Sequence, residues 1–408
     1  MMKFMYKLSK SVIPCMLLTL SIGFCYAWSL FAPEIREAIP AVTASQVQFV
    51  FCLNIFFLGM GAAFFGKLVE KRIKLAACVS TALLFIGLQV AALGVACKSL
   101  MLVYLGFGVC CGVSEGCGYV VPVKNLLLWW GKTKHKGVIM AMSIIFFGLG
   151  STLCSWMFGL MQRTGCSVVS IMQNMSYVYL AMMSLGCIMI RKPKYAQLKL
   201  NKEHSHSVVS DDKAKLRVLI KDSFFRRSWL FMFLNISMGL VLIGTCASLL
   251  KNVACLKPET VIAVMMACGI ANGAGRLAFP FISDYMKTRL WIWILILAIE
   301  VVVTACSALW PVLLPIGAIL INATYGAAFS TLPSVLNDHY GKDHLSETHG
   351  FVLSAWGFAS LFAYAVTVLG VSSLPFIALM LVLCGVYAAN LRVVHGMFKI
   401  CNEENLNL

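Results

Sequence analysis

The sequence predicts an all-α membrane protein with twelve transmembrane helices in two pseudo-symmetric six-helix halves. Three observations predict it. Of the 408 residues, 60% are hydrophobic and only 12% are charged, and the mean hydropathy is +0.87. A soluble domain of this length does not reach that balance. Apolar runs long enough to span a hydrocarbon core of ~30 Å recur along the whole chain. Finally, the loops after the second and eighth runs echo each other. GKLVEKRIK (66–74) and PFISDYMKTR (280–289) each place an acid and then bases in a tight polar turn. Internal repeats of this kind belong to secondary transporters, which place the substrate site where the repeats meet.

The runs fall at 11–31, 46–66, 75–96, 100–122, 137–160, 170–190, 228–250, 260–282, 290–310, 312–334, 348–370 and 372–392. Lys3, Lys7 and Lys10 precede the first, as in a signal peptide. The run is longer than a signal-peptide core, so it reads as a helix that stays. The shortest connections are Trp310-Pro311 and Ser372-Ser373. The polar segment 191–227 separates residues 1–190 from residues 228–392, and 393–408 form a tail. It reads as a linker, with a short amphipathic helix around Ala214–Ser223. Alternate loops are basic: Lys67, Lys71, Arg72 and Lys74; Lys132, Lys134 and Lys136; the linker; Lys287 and Arg289. The positive-inside bias puts that set, and both termini, in the cytoplasm, and the chain in the cell membrane.

Several function classes are excluded. The net charge of +17 is spread over short loops, which is unlike a nucleic-acid footprint. Most of the 17 cysteines lie singly in apolar runs, where they act as small hydrophobes. Cys110, Cys111 and Cys117 share one helix, without a Cys/His set at zinc spacing. No cofactor or metal is expected. In NDHYGKDHLSETH (337–349), His339, His344 and His349 are spaced by five, which scatters them around a helix. That stretch reads as a hydrated loop between helices 10 and 11 and not as an enzyme centre. A linker of about 35 residues is too small for a sensing domain, which argues against a non-transporting receptor.

Four ionisable residues stand out inside the apolar runs: Glu115, Lys124, Arg276 and Glu300. Arg276, in ANGAGRLAFPFISDYMKTR (271–289), lies roughly 8–12 Å from the polar end of its run at 1.5 Å per residue. Its guanidinium stays charged, so it must face a cavity, a partner or a ligand. Asn272, Gly273 and Gly275 open space beside it. The fork suits a carboxylate. Tyr26, Tyr325 and Trp356 offer rings that can cover an anion. Glu115 has two readings: a proton-coupling carboxyl, or a neutral hydrogen-bonded group at a helix contact. Lys124 lies near a helix end and snorkels.

Five stretches carry a resemblance: CYAWSLFAPEI (25–35), GYVVPVKNLLLWWGKTKHKGVIMAMSIIFFGLG (118–150), NGAGRLAFPFISD (272–284), YGAAFSTLPSVLNDHYG (325–341) and THGFVLSAWGFAS (348–360). In order and spacing the chain resembles the major facilitator superfamily. Within it, the chain is similar to the oxalate/formate antiporter family and its monocarboxylate-transporter-like relatives. That resemblance implies a central dicarboxylate site with an Arg on helix 8, a Lys on helix 11 and surrounding aromatics. Arg276 matches the Arg, but the Lys position holds Trp356. Tyr26 matches the aromatic of the helix-1 YxW motif, and Tyr325 and Phe147 match aromatics on helices 10 and 5. Cys25 stands where a glutamine can occur, and Glu70 replaces the usual Asp. The resemblance implies that loops with Gly66, Glu70, Arg72, Asp284 and Arg289 latch the cytoplasmic side in the outward-open state. The reading is a monomeric secondary transporter, an antiporter of small organic anions and of monocarboxylates in particular. The alternative is a proton-coupled monocarboxylate symporter using Glu115. The partners are the substrate anion, a proton in the alternative, and the bilayer.

Overall fold

The computed structural model describes residues 2–130, 136–191, 219–340, 345–371 and 375–406. Among them, twelve helices are long and apolar enough to cross a membrane. They are α1 Tyr6–Ala38, α2 Ala44–Ala62, α3 Lys71–Ala96, α4 Leu100–Trp130, α5 Ile144–Arg163, α6 Val168–Met189, α7 Ser223–Asn252, α8 Pro258–Ser283, α9 Leu290–Leu309, α10 Pro311–Tyr340, α11 Thr348–Val368 and α12 Phe376–Cys401. Odd-numbered helices leave the end of the bundle where α6 finishes at Met189 and α7 begins at Ser223. That end is called the linker end, and its opposite the far end.

Local chemistry sets the helix ends. Thr43 starts α2 with a capping box: Gln46 N donates to Thr43 Oγ1 (3.2 Å) and Thr43 N to Gln46 Oε1 (2.9 Å). Asp222 caps α7, its Oδ1 accepting from Phe224 N (2.7 Å) and Phe225 N (3.4 Å). Pro258 and Pro311 sit where a missing N–H costs no helical bond. The turn from α2 to α3 is made by one residue, Arg72, at φ −136° and ψ 64°.

Several helices outrun the apolar stretches. α7 begins at Ser223 because Asp222 supplies its cap, and α10 continues to Tyr340. The hydrated loop expected over 337–349 therefore gives way to helix at 337–340 and again from Leu345. There His339 stacks on Phe224 (3.8 Å between ring centroids), and Tyr340 Oη donates to Asp222 Oδ2 (2.7 Å). Arg289 joins this corner, with Nη1 on Asp284 Oδ1 (2.5 Å) and Nε on Asp338 Oδ2 (2.9 Å). The echoing loop offers an exposed Arg72, while the side chains of Gly66 and Glu70 fall outside the description. Residues 192–218, His344 and Ser372-Ser373 lie outside the described residues as well.

In lipid there is little hydrophobic drive to bring helices together, so close packing at small residues does that work. The two halves touch this way at places level with the middle of the bundle. A Cβ on Gly59 of α2 would lie 2.9 Å from Gly357 N of α11. One on Gly148 of α5 would lie 2.7 Å from Gly273 N of α8. At the far end the halves part around a cavity of about 570 Å³. Pro33, Gln48, Gln162, Ser248, Val261 and Leu379 line it, from both halves.

Gly148→Val should wedge the α5–α8 contact apart and shift the balance between the states open and closed at the far end. Maleimide labelling of Ser248→Cys, followed by mass spectrometry on purified protein, should then change in rate several-fold. An unchanged rate would show that the halves do not rock about this contact.

Candidate functional site

The site is assembled at the middle of the bundle from both halves. Arg276 on α8 is fully buried. One turn earlier on the same helix, Asn272 Oδ1 accepts from its Nε at 2.9 Å. Nη1 and Nη2 make no hydrogen bond. The guanidinium carbon stands 5.6 Å from the Phe147 ring centroid and 5.4 Å from that of Phe329. Ring faces attract a cation, by ~0.5–2 kcal/mol each, but do not replace hydrogen bonds. Two terminal nitrogens thus point unpaired into an apolar enclosure, which suits them to a bidentate oxyanion.

Six aromatic residues enclose the charge: Tyr26 (α1), Tyr119 (α4), Phe147 (α5), Tyr325 and Phe329 (α10) and Trp356 (α11). Their rings meet edge to face or tilted. Tyr26 is 5.4 Å from Phe147 and 5.6 Å from Tyr325. Trp356 is 4.5 Å from Phe329, 5.7 Å from Tyr119 and 6.1 Å from Phe147. Tyr26 Oη donates to Tyr325 Oη at 3.4 Å, a polar contact that joins the halves. The Trp356 indole N–H is buried without an acceptor.

Glycines admit these rings. α1 tightens to a 3₁₀ turn over Gly23–Ala27, and Gly23 and Gly150 approach so closely that a Cβ on Gly23 would meet the Phe147 carbonyl. Tyr26 and Phe147 are thereby held together. On α7, Gly239 leaves room for the Tyr325 ring, and a Cβ there would collide with it. On α10, Gly326 lets Asn272 and the Arg276 side chain pass.

The structure therefore brings Arg276, Tyr26, Phe147, Tyr325 and Trp356 together, as the sequence suggests. Glu115 sits apart, inside the amino-terminal half. Its Oε1 accepts from Asn54 Nδ2 at 3.1 Å, and it neighbours Cys25. Asp284 and Arg289 are at the linker end, away from the cage. Glu300 is held by Asn235 within the carboxyl-terminal half.

Phe329 and Tyr119 escape the sequence reading, and Asn272 enters it only as a residue that opens space. Phe329 follows Tyr325 by four residues and shares its helix face, a spacing that could have found it. Asn272 precedes Arg276 by the same step, and its direct bond to Nε was foreseeable. Tyr119, whose hydroxyl lies next to the guanidinium, has no such local signal. The far-end cavity reaches Ser29 and Leu30, one turn from Tyr26, and Arg276 is not among its walls. The charge is occluded beneath it. No group of metal ligands occurs among the described residues.

Comparisons with known proteins fit this geometry. The family description "Major Facilitator Superfamily" matches residues 8–364. An Escherichia coli (strain K12) protein described as "Uncharacterized MFS-type transporter YhjX" is 24% identical over 350 residues, covering 84% of this chain and 83% of that protein. Among solved structures, the D-xylose-proton symporter superposes with a TM-score of 0.70 at 12% identity, covering 95% of this chain and 97% of that one. The nucleoside transporter NupG, as its D323A mutant, also gives a TM-score of 0.70, at 13% identity, with 95% and 100% covered. At such identities these two support the fold alone. A twelve-helix bundle in two halves, with a family match over most of its length, places the chain in the major facilitator superfamily, whose members are transporters and not enzymes.

Proposed function

We propose that this secondary transporter moves small organic anions, monocarboxylates in particular, by alternating access. One observation carries the reading: a buried guanidinium with two unpaired nitrogens in an aromatic cage built from both halves. A carboxylate would take the fork, and the rings would cover an apolar remainder. Because Tyr26, Tyr119 and Phe147 belong to one half and Arg276, Tyr325 and Trp356 to the other, a bound anion would tie the halves together. The linker end carries the basic loops, so we read it as cytoplasmic and the far-end cavity as facing outward. The loops at 66–74 and 280–289 would then latch the cytoplasmic side.

The single cation favours a monoanion. An unmatched second carboxylate in a poorly solvated site would cost several kcal/mol. Exchange is the first reading. A second reading, proton symport through Glu115, draws support from one contact. Cys25 lies beside that carboxyl and precedes Tyr26, so a proton there would act on helix 1 at the cage.

Arg276→Gln should reduce transport of a labelled monocarboxylate by about two orders of magnitude or more, as truncating one partner of a buried charge pair costs ~2–5 kcal/mol. Arg276→Lys should lose about tenfold, because it keeps the charge but not the fork. Normal uptake by a well-folded Gln variant would reduce Arg276 to a structural role.

Matched mono- and dicarboxylates, competing at a pH where both are ionised, should favour the monoanion in the natural protein. Trp356→Lys should shift the preference toward the dianion. Dianion preference in the unmodified protein would refute the single-cation reading.

The orientation is tested separately. A cysteine at position 205 should resist impermeant reagents in intact cells, and labelling from outside would reverse the assignment.

A further inference from the structure

Glu300 is a buried carboxyl that the reading above leaves unused. It lies in the middle of α9 with its side chain enclosed by three other helices. From α7, Asn235 Nδ2 donates to both oxygens, at 3.0 Å and 2.8 Å. From α10, Thr324 lies beside it. From α12, Tyr387 lies within electrostatic range, and the Cys384 thiol, one turn earlier, donates to Val301 O at 3.6 Å. Those are the titratable and polar groups facing it. Among the described residues no cation pairs with it.

Two polar atoms around it stand unpaired: Asn235 Oδ1 and Tyr387 Oη are buried without any hydrogen bond. Asn235 Oδ1 can only accept, whereas the Tyr387 hydroxyl can accept or donate. A carboxylate without a cation in a membrane interior is the costly form of this group. That cost favours a carboxyl that holds a proton.

The pocket is also wired to the substrate cage. Tyr387 lies in electrostatic range of Tyr325 as well as of Glu300. Thr324 precedes Tyr325 in the chain. Asn235 lies one turn from Gly239, on which the Tyr325 ring rests. α7 packs on Tyr325, α10 carries it and Tyr387 of α12 lies in electrostatic range of it, and Tyr325 is the residue whose hydroxyl reaches Tyr26 across the halves. Any movement of Tyr325 as the halves part would disturb the bonds around Glu300.

We propose that Glu300 is a proton-binding site of the carboxyl-terminal half, loaded and unloaded as Tyr325 moves during the transport cycle. The proton comes from bulk water, sits on a Glu300 oxygen, and returns to water when the pocket opens. The inference rests on the transporter fold and not on the substrate being an anion.

Infrared difference spectroscopy on purified protein tests it without a substrate. Raising the pH should remove a protonated-carboxyl C=O band in the wild type. That component should be missing in Glu300→Gln and retained in Glu115→Gln. Tyr387→Phe, which deletes only an unbonded hydroxyl, should move the midpoint of the band's titration. Wild-type spectra in Glu300→Gln, or an unmoved midpoint in Tyr387→Phe, would overturn the proposal. Should Glu300→Gln fail to fold, the Tyr387→Phe midpoint alone decides. In proteoliposomes, pyruvate uptake should respond several-fold to an imposed pH gradient in the wild type and not in Glu300→Gln. An equal response in both would overturn the coupling. Absence of any pyruvate uptake would count against the anion reading and leave the infrared result to judge Glu300.

Discussion

The structure depends on a buried charge that is left half satisfied. Arg276 cannot discard its proton, and the bundle gives it a single hydrogen bond, to Asn272. An isolated cation there would normally be driven out by its desolvation cost. It stays because Phe147 and Phe329 present their faces to it and because packed helices close the routes to water. Stability is thus given up locally so that two nitrogens remain free. That is the usual physics of a preorganised binding site, in which the receptor's groups are oriented before the ligand arrives.

Around this charge, small residues decide the geometry. Gly23 and Gly150 set the distance between α1 and α5, and Gly239 and Gly326 make room for Tyr325 and Arg276. The contacts at Gly59–Gly357 and Gly148–Gly273 lie level with the cage, whereas the cavity belongs to the far side. A transporter must make and break such contacts alternately. Backbone approaching backbone through glycine is well suited to that, because it presents flat surfaces with no side chains to disentangle.

The polar groups divide by half. Glu115 with Asn54 is internal to one half, and Glu300 with Asn235 to the other. The Tyr26–Tyr325 hydroxyl contact, the bond from Thr152 Oγ1 to Met266 O and the aromatic rings bridge them. Each half therefore carries its own buried carboxyl, while the interface that must open is held mainly by ring contacts and close glycine packing.

The sequence by itself determined the class of this protein. Twelve apolar runs, the alternation of basic loops and the doubled acid-and-base turn are properties of short windows, and the bilayer's thickness reads them directly. It also singled out Arg276, because an intramembrane charge is conspicuous without any knowledge of neighbours. Helix ends beyond the bilayer were less legible: α10 runs on to Tyr340 because Asp222 and Phe224, over a hundred residues earlier, receive its last turn. Only the tertiary structure decided the membership of the cage. Tyr119 and Phe329 look like any other aromatic in a membrane helix until α4 and α10 are rotated toward one centre. It likewise put Glu115 beside Cys25, next in the chain to Tyr26, and Glu300 beside Asn235 of α7. Spacing along a helix tells which residues share a face, but which face turns inward is set by contacts between segments far apart in the chain.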